Sequence, residues 1–182
     1  MRLPLILVLV VAMFCTAACG GSGNKDARMQ ATLTDDGCTY EGDTKVAAGS
    51  FQIDVKNETR HDASFLFARL ANGYTAATIE PILAKETAWS LSLTKNELRD
   101  LLKGKRPLQH HPDLPQIFDH QHGGSDTFLA AGESIVLPGV GSPSGAYALI
   151  CRVNLLGNFL FRKQYIASQI DVTGDLPGVS TP

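Results

Sequence analysis

The 182-residue chain has no apolar run long enough to cross a bilayer, which takes about 20 consecutive apolar residues. Its longest run, Leu3 to Phe14 with Pro4 inside it, falls short and stands at the very start. Basic residues are neither abundant nor clustered. Sixteen Lys and Arg against 18 Asp and Glu leave a net charge of −2, so the chain lacks the basic face that a nucleic-acid partner requires. No glycine-rich loop ends in Gly-Lys-Ser/Thr, which excludes the common phosphate cradle. Ser134, Ser142 and Ser144 offer hydroxyls, but no nucleophile elbow or triad spacing surrounds them. His61 beside Asp62 is a turn pair rather than a proton relay. Internal repeats are absent, and so is the alternation of strand and helix that builds a parallel sheet. These absences point away from an enzyme.

What is present begins with the leader. Arg2, the short apolar core and then Thr16-Ala17-Ala18-Cys19 have the parts of an export signal. The ending on two small residues and a cysteine resembles the lipobox of bacterial lipoproteins, with Thr16 where that family usually has Leu. The resemblance implies cleavage after residue 18 and a diacylglycerol on the sulfur of Cys19. Two acyl chains hold a membrane stably without a spanning helix. Gly20 to Lys25 is small and polar, so residues 19–30 are expected to form a flexible tether. Loss of Arg2 with the leader leaves the mature form at −3. The expected location is a membrane surface outside the cytoplasm, reached through lipid alone.

Four cysteines remain to be apportioned. Cys15 leaves with the leader and Cys19 takes the lipid. Cys38 and Cys151 form an even pair in a chain bound for an oxidising compartment. A disulfide between them would stabilise the fold by roughly 4 kcal/mol in the chain-entropy view. The competing possibility makes Cys151 a thiolate ligand or a reactive thiol.

Periodicity organises residues 31–173 as one domain, with a tail over 174–182. Short strands are expected at Ala31–Thr34, Cys38–Tyr40 and Lys45–Ala47. The clearest strand alternates Phe51, Ile53 and Val55 with Gln52, Asp54 and Lys56, the mark of one buried face. A more fully buried strand follows at Ser64–Leu70. Thr75 to Lys85 then has helical spacing, with Pro81 expected to start or kink the helix. Thr94-Lys95-Asn96-Glu97 is a capping box opening a second helix that stops at Gly104. Lys105 to Ser125 has no period and carries four of the five histidines. Strands resume at Thr127–Ala130, Ser134–Leu137, Ala146–Cys151 and Gln164–Val172. The pattern predicts a mainly β, antiparallel sandwich with a helical and loop insertion at about 75–125. Phe51, Phe65, Phe67, Tyr147 and Phe159 belong to its core. Trp89 falls between the helical segments, either as core or as an exposed contact.

Three stretches together resemble a cupredoxin-like domain of exported bacterial proteins. They are Ala47–Asn57, the strand around Phe65 and Phe67 with Leu70–Thr75, and Ala130–Glu133 leading to Gly145–Cys151. The third is similar to the strand that carries the copper-site cysteine in electron-transfer members. A blue-copper centre takes two imidazoles, a thiolate and a weak axial ligand such as Met. Here Cys151 is followed by Arg152-Val153-Asn154-Leu155-Leu156-Gly157-Asn158-Phe159, without His or Met. His61 alone stands near the usual first-ligand position, and the mature chain's single methionine, Met29, lies near the tether. Cys38-Thr39-Tyr40-Glu41-Gly42 and Gly145–Cys151 instead resemble the redox-silent branch, in which an early and a late cysteine occur together.

His110-His111 and His120-Gln121-His122, with Asp113, Asp119 and Asp126 in reach, form a second candidate set for a metal. The expected function is therefore a membrane-anchored, non-enzymatic binding module. Its insertion would recognise a protein or small molecule, with no obligatory cofactor. The alternative is a metal-binding lipoprotein holding copper or zinc through the histidine loop, with or without His61. A thiol-redox protein acting through Cys151 stands third.

Overall fold

The computed structural model describes residues 28–49, 51–104, 115–119, 124–138, 142–156 and 160–175. Two sheets face one another. The first has the order β2-β1-β4-β7, from β1 (Arg28–Leu33), β2 (Cys38–Glu41), β4 (Gln52–Asn57) and β7 (Ser134–Pro138). The second has the order β3-β9-β8-β5-β6, from β3 (Lys45–Ala47), β5 (Ala63–Arg69), β6 (Gly124–Leu129), β8 (Gly145–Leu156) and β9 (Leu160–Thr173). The expected mainly β sandwich with a helical insertion is the architecture found.

Alternation along β4 decides its faces. Ile53, Val55 and Asn57 are buried, while Gln52, Asp54 and Lys56 are exposed. Between the sheets, Met29, Leu33, Ile53, Val55, Phe65, Tyr147, Leu149 and Ile170 are almost wholly removed from water. Phe67 stacks on Tyr147 with centroids 4.7 Å apart and receives Phe51 edge-on at 5.4 Å. The aromatic residues expected in the core are there, except Phe159, which lies outside the described residues.

Both sheets are mixed rather than antiparallel. β1 pairs parallel with β4, and β3 pairs parallel with β9. After β2 returns antiparallel to β1, the chain crosses to the second sheet as β3 before coming back as β4. That crossover reverses direction once more, so β4 runs with β1. Parallel neighbours require such long connections. The alternation in β4 reports only which face is buried.

β1 also begins earlier than expected, at Arg28. Residues 28–30, assigned to the tether, are strand, and Met29 is fully buried. The β8–β9 hairpin is longer than its apolar stretches suggested, with register shifts at Leu149/Ile150 and Val153/Asn154.

The insertion is built on two helices. In α1 (Ala76–Ser92) the cap is reciprocal. Thr78 N–H donates to Thr75 Oγ1 at 3.3 Å, and Thr75 N–H donates to Thr78 Oγ1 at 2.8 Å. Pro81 lies inside this helix and neither starts nor ends it. A proline there forgoes the hydrogen bond to the Ala77 carbonyl. Ala77 and Pro81 are both exposed, so the break in the hydrogen-bond ladder falls on the solvent side of the helix. Ile79 and Leu83, on either side of Pro81, are buried and hold the helix down. Trp89 falls within α1, half-buried, rather than between two helices.

α1 lies along β9 and covers the outer face of the second sheet. There Ile79 and Leu83 join Leu70, Ile117, Ala148 and Ile150 in a smaller apolar cluster. The capping box at Thr94 and Glu97 opens α2 (Lys95–Leu102), which has no buried residue. Among the described residues, no helix is long and apolar enough to cross a membrane.

Candidate functional site

Cys151 stands in the middle of β8, opposite Phe65 on β5 and Tyr165 on β9, and its side chain is fully buried. Cys38 opens β2 in the other sheet. The two are joined as a disulfide, with Cα atoms 6.2 Å apart across 113 positions of sequence. The bond therefore ties sheet to sheet through the core. Of the possibilities left open by the cysteine count, the covalent one is realised.

His61 lies in the turn between β4 and β5, and its side chain is exposed. Its backbone is the fixed part. The His61 carbonyl accepts from Asn57 Nδ2 at 2.8 Å and from Thr59 Oγ1 at 2.9 Å, while its N–H donates to Thr59 Oγ1 at 3.1 Å. Asn57 also donates to the carbonyls of Leu129 and Ala130. Asn57, fully buried, thus spends its amide on joining the 57–62 turn to the 130–133 turn. A buried amide needs such partners, since each one left unmade costs about 1–3 kcal/mol.

A blue-copper ion does not fit these residues. The sulfur that the resemblance would offer as thiolate is bonded to Cys38, and Met29 is packed between the sheets. Among the described residues, no three metal-ligating side chains come together. His110, His111, His120, His122 and Cys19 lie outside the described residues.

The structure also gathers a polar cluster that sequence reasoning passed over. Arg152, adjacent to the disulfide on β8, is only 7% exposed. Its guanidinium lies 4.6 Å over the Phe161 ring, and its Nε donates to Gln164 Oε1 at 3.1 Å. Asp126 Oδ2 is 3.6 Å from its Nη1. Gln164 then donates from Nε2 to Glu86 Oε2 at 2.9 Å, to Thr87 Oγ1 at 3.2 Å and to the Leu83 carbonyl at 3.4 Å. This chain of contacts runs from β6 through β8 and β9 to α1.

Burial pushes the Arg152 pKa down, and the carboxylates of Asp126 and Glu86 oppose that shift. Burial likewise pushes Asp126 up, with Arg152 pulling it back. The desolvation of a charge is the larger effect at both groups. One signal was available in the sequence: an arginine inside the apolar strand run Ala146–Val153 requires a partner.

A second pair explains the glycine of the Gly145–Cys151 motif. Arg69 reaches Asp119 at 3.7 Å, and a Cβ on Gly145 would stand 2.5 Å from Arg69 Nε. The φ of +152° at Gly145 adds to the strain that any side chain would meet.

Neither a protein-family model nor a curated protein matches the sequence. Among solved structures, the fold is similar to the dithionite-reduced auracyanin of the photosynthetic bacterium Roseiflexus castenholzii. The identity is 10% and the TM-score 0.38, over 84% of this chain and 100% of that one. It is also similar to auracyanin A of Chloroflexus aurantiacus, described as a blue copper protein, at 14% identity and a TM-score of 0.37, over 80% of this chain and 99% of that one. These values describe a distant likeness of fold.

Proposed function

We propose that the chain is a lipid-anchored, extracytoplasmic, cupredoxin-like protein that acts as a non-enzymatic binding module, with its helical insertion as the recognition element. The observation that carries this reading is the Cys38–Cys151 bond. A sulfur committed to a buried covalent bond is neither a copper thiolate nor a nucleophile. The strand that resembles a copper strand is therefore left with a structural task. Support for the anchor comes from the leader and from Cys19 in its lipobox-like setting. Support for recognition by the insertion comes from its place outside the sandwich, where loops carry function and the scaffold carries stability.

Two measurements test the reading. Expressed in bacteria, the full chain partitions into the detergent phase, and Cys19→Ala moves it to the aqueous phase. An unchanged partition overturns the anchor. Titration with Cu(II) and Zn(II) gives no saturable binding. Binding that saturates, and that disappears when His110, His111, His120 and His122 are replaced together, transfers the function to the metal-binding alternative. Crosslinking in cells then identifies the partner.

A further inference from the structure

Each sheet of a sandwich has two edges, and an edge strand offers unpaired backbone groups to any other strand. Here the four edges are β2 and β7 of the first sheet and β3 and β6 of the second. Three carry a charge: Glu41 on β2, Lys45 on β3 and Asp126 on β6. β7, with the sequence Ser134-Ile135-Val136-Leu137-Pro138, carries none. Instead it exposes Ile135 to 46% and Val136 to 45%, while Leu137 anchors it to the core at 3%.

The backbone of β7 is divided in the same way. Asn57 N–H donates to the Glu133 carbonyl at 2.9 Å, and Val55 and Ile53 stand opposite Ile135 and Leu137. Antiparallel hydrogen bonding alternates along a strand. Ile135 and Leu137 therefore bond to β4, while Ser134 and Val136 turn their N–H and C=O groups to the open side. Among the described residues, β4 is the strand with which β7 pairs. Charged side chains are a usual guard against edge pairing, and β7 has none; Pro138 blocks only its last outward position, which leaves the N–H groups of Ser134 and Val136.

We propose that β7 is a self-association edge, through which two copies of the chain pair antiparallel and join their four-stranded sheets into one of eight strands. Charge selects the occupant. Pairing about a two-fold axis sets each strand against its own image, and like charges placed opposite one another are destabilising. β7 is the edge that meets its image in any register without bringing a charge of its own against a like one. The pairing would also set cross-strand neighbours beside Ile135 and Val136, one on each face of the joined sheet. Phe128, exposed to 42% on the neighbouring β6, would flank the seam.

The test uses the full chain in density-matched detergent, followed by sedimentation equilibrium over a series of concentrations. A reversible monomer–dimer equilibrium is expected for the native sequence. Val136→Pro removes one outward N–H without removing a bond to β4. Val136→Lys leaves the backbone intact but puts like charges at the seam. Each is expected to weaken the dimer at least about tenfold, with the circular dichroism spectrum and the intact disulfide as checks on the fold. If the proline variant fails to fold, the lysine variant decides. A native chain that stays monomeric throughout, or a dimer that both substitutions leave unchanged, overturns the proposal.

Discussion

The two apolar regions of this molecule are held by different means. Between the sheets, large side chains interlock and a disulfide spans the gap, with Asn57 buried at one end among backbone carbonyls. On the outer face of the second sheet the apolar cluster is smaller, and the attachment of α1 is completed by polar contacts from Gln164, which Arg152 holds in turn. Packing between sheets is non-directional and large in area, so it supplies most of the stability. The helix layer relies on a buried charge whose desolvation offsets much of what its partners return. The inner core is thus the scaffold, and the α1 layer is the part whose attachment is easiest to weaken.

The strongest way to break that contrast is to empty the inner core. Phe65→Ala removes a fully buried ring and is expected to cost about 3–5 kcal/mol, measured by chemical denaturation. Reducing the Cys38–Cys151 bond, or replacing both residues with Ser, is expected to cost about 4 kcal/mol. The measurement is the difference in unfolding midpoint with and without reductant. If reduction changes nothing, the bond is not the staple described here.

Leu83→Ala, under α1, is expected to cost about 2 kcal/mol. Its distinguishing feature is regional: amide exchange should rise in α1 and Ile117 while the β4 amides stay protected. Equal loss of protection in both regions would show that the two layers unfold as one.

Asp126 sharpens the comparison through pH. Its carboxyl is raised above the ordinary Asp value chiefly by burial, so the fold favours its protonated form. The corresponding stability is full below the unfolded pKa and is lost as pH rises through the raised folded value. Asp126→Asn removes that titration and should flatten the decline over this window, a modest change because the side chain is 37% exposed. The smallest effect belongs to Thr94→Ala, which removes the α2 cap at about 1 kcal/mol of local helix stability and leaves the core transition in place.

Much of this was legible along the chain. The alternation of Phe51, Ile53 and Val55 located β4 and its buried face, and the capping box at Thr94 located the start of α2. The pairing of Cys38 with Cys151 stood among the alternatives because only two cysteines remain once Cys15 is assigned to the expected leader and Cys19 to the expected lipid site. Other features were not legible, for a common reason. Pro81 argued for a break, yet burial of Ile79 and Leu83 outweighs one forgone hydrogen bond on the exposed side of the helix. Arg152 was visible only as a residue where His or Met was sought, because its partners come from β6, β9 and α1.

By itself the sequence determined which residues turn inward and where the helices are capped, and it offered Cys38 and Cys151 as one possible pair. Those are local properties, set by side-chain period, turn chemistry and composition. The parallel neighbours β1 and β4, the placement of Cys38 and Cys151 in opposite sheets and the burial of Arg152 were decided only by tertiary structure. Each depends on which distant segment arrives alongside, and strand direction and charge desolvation are settled by that neighbour, not by the residues next in the chain.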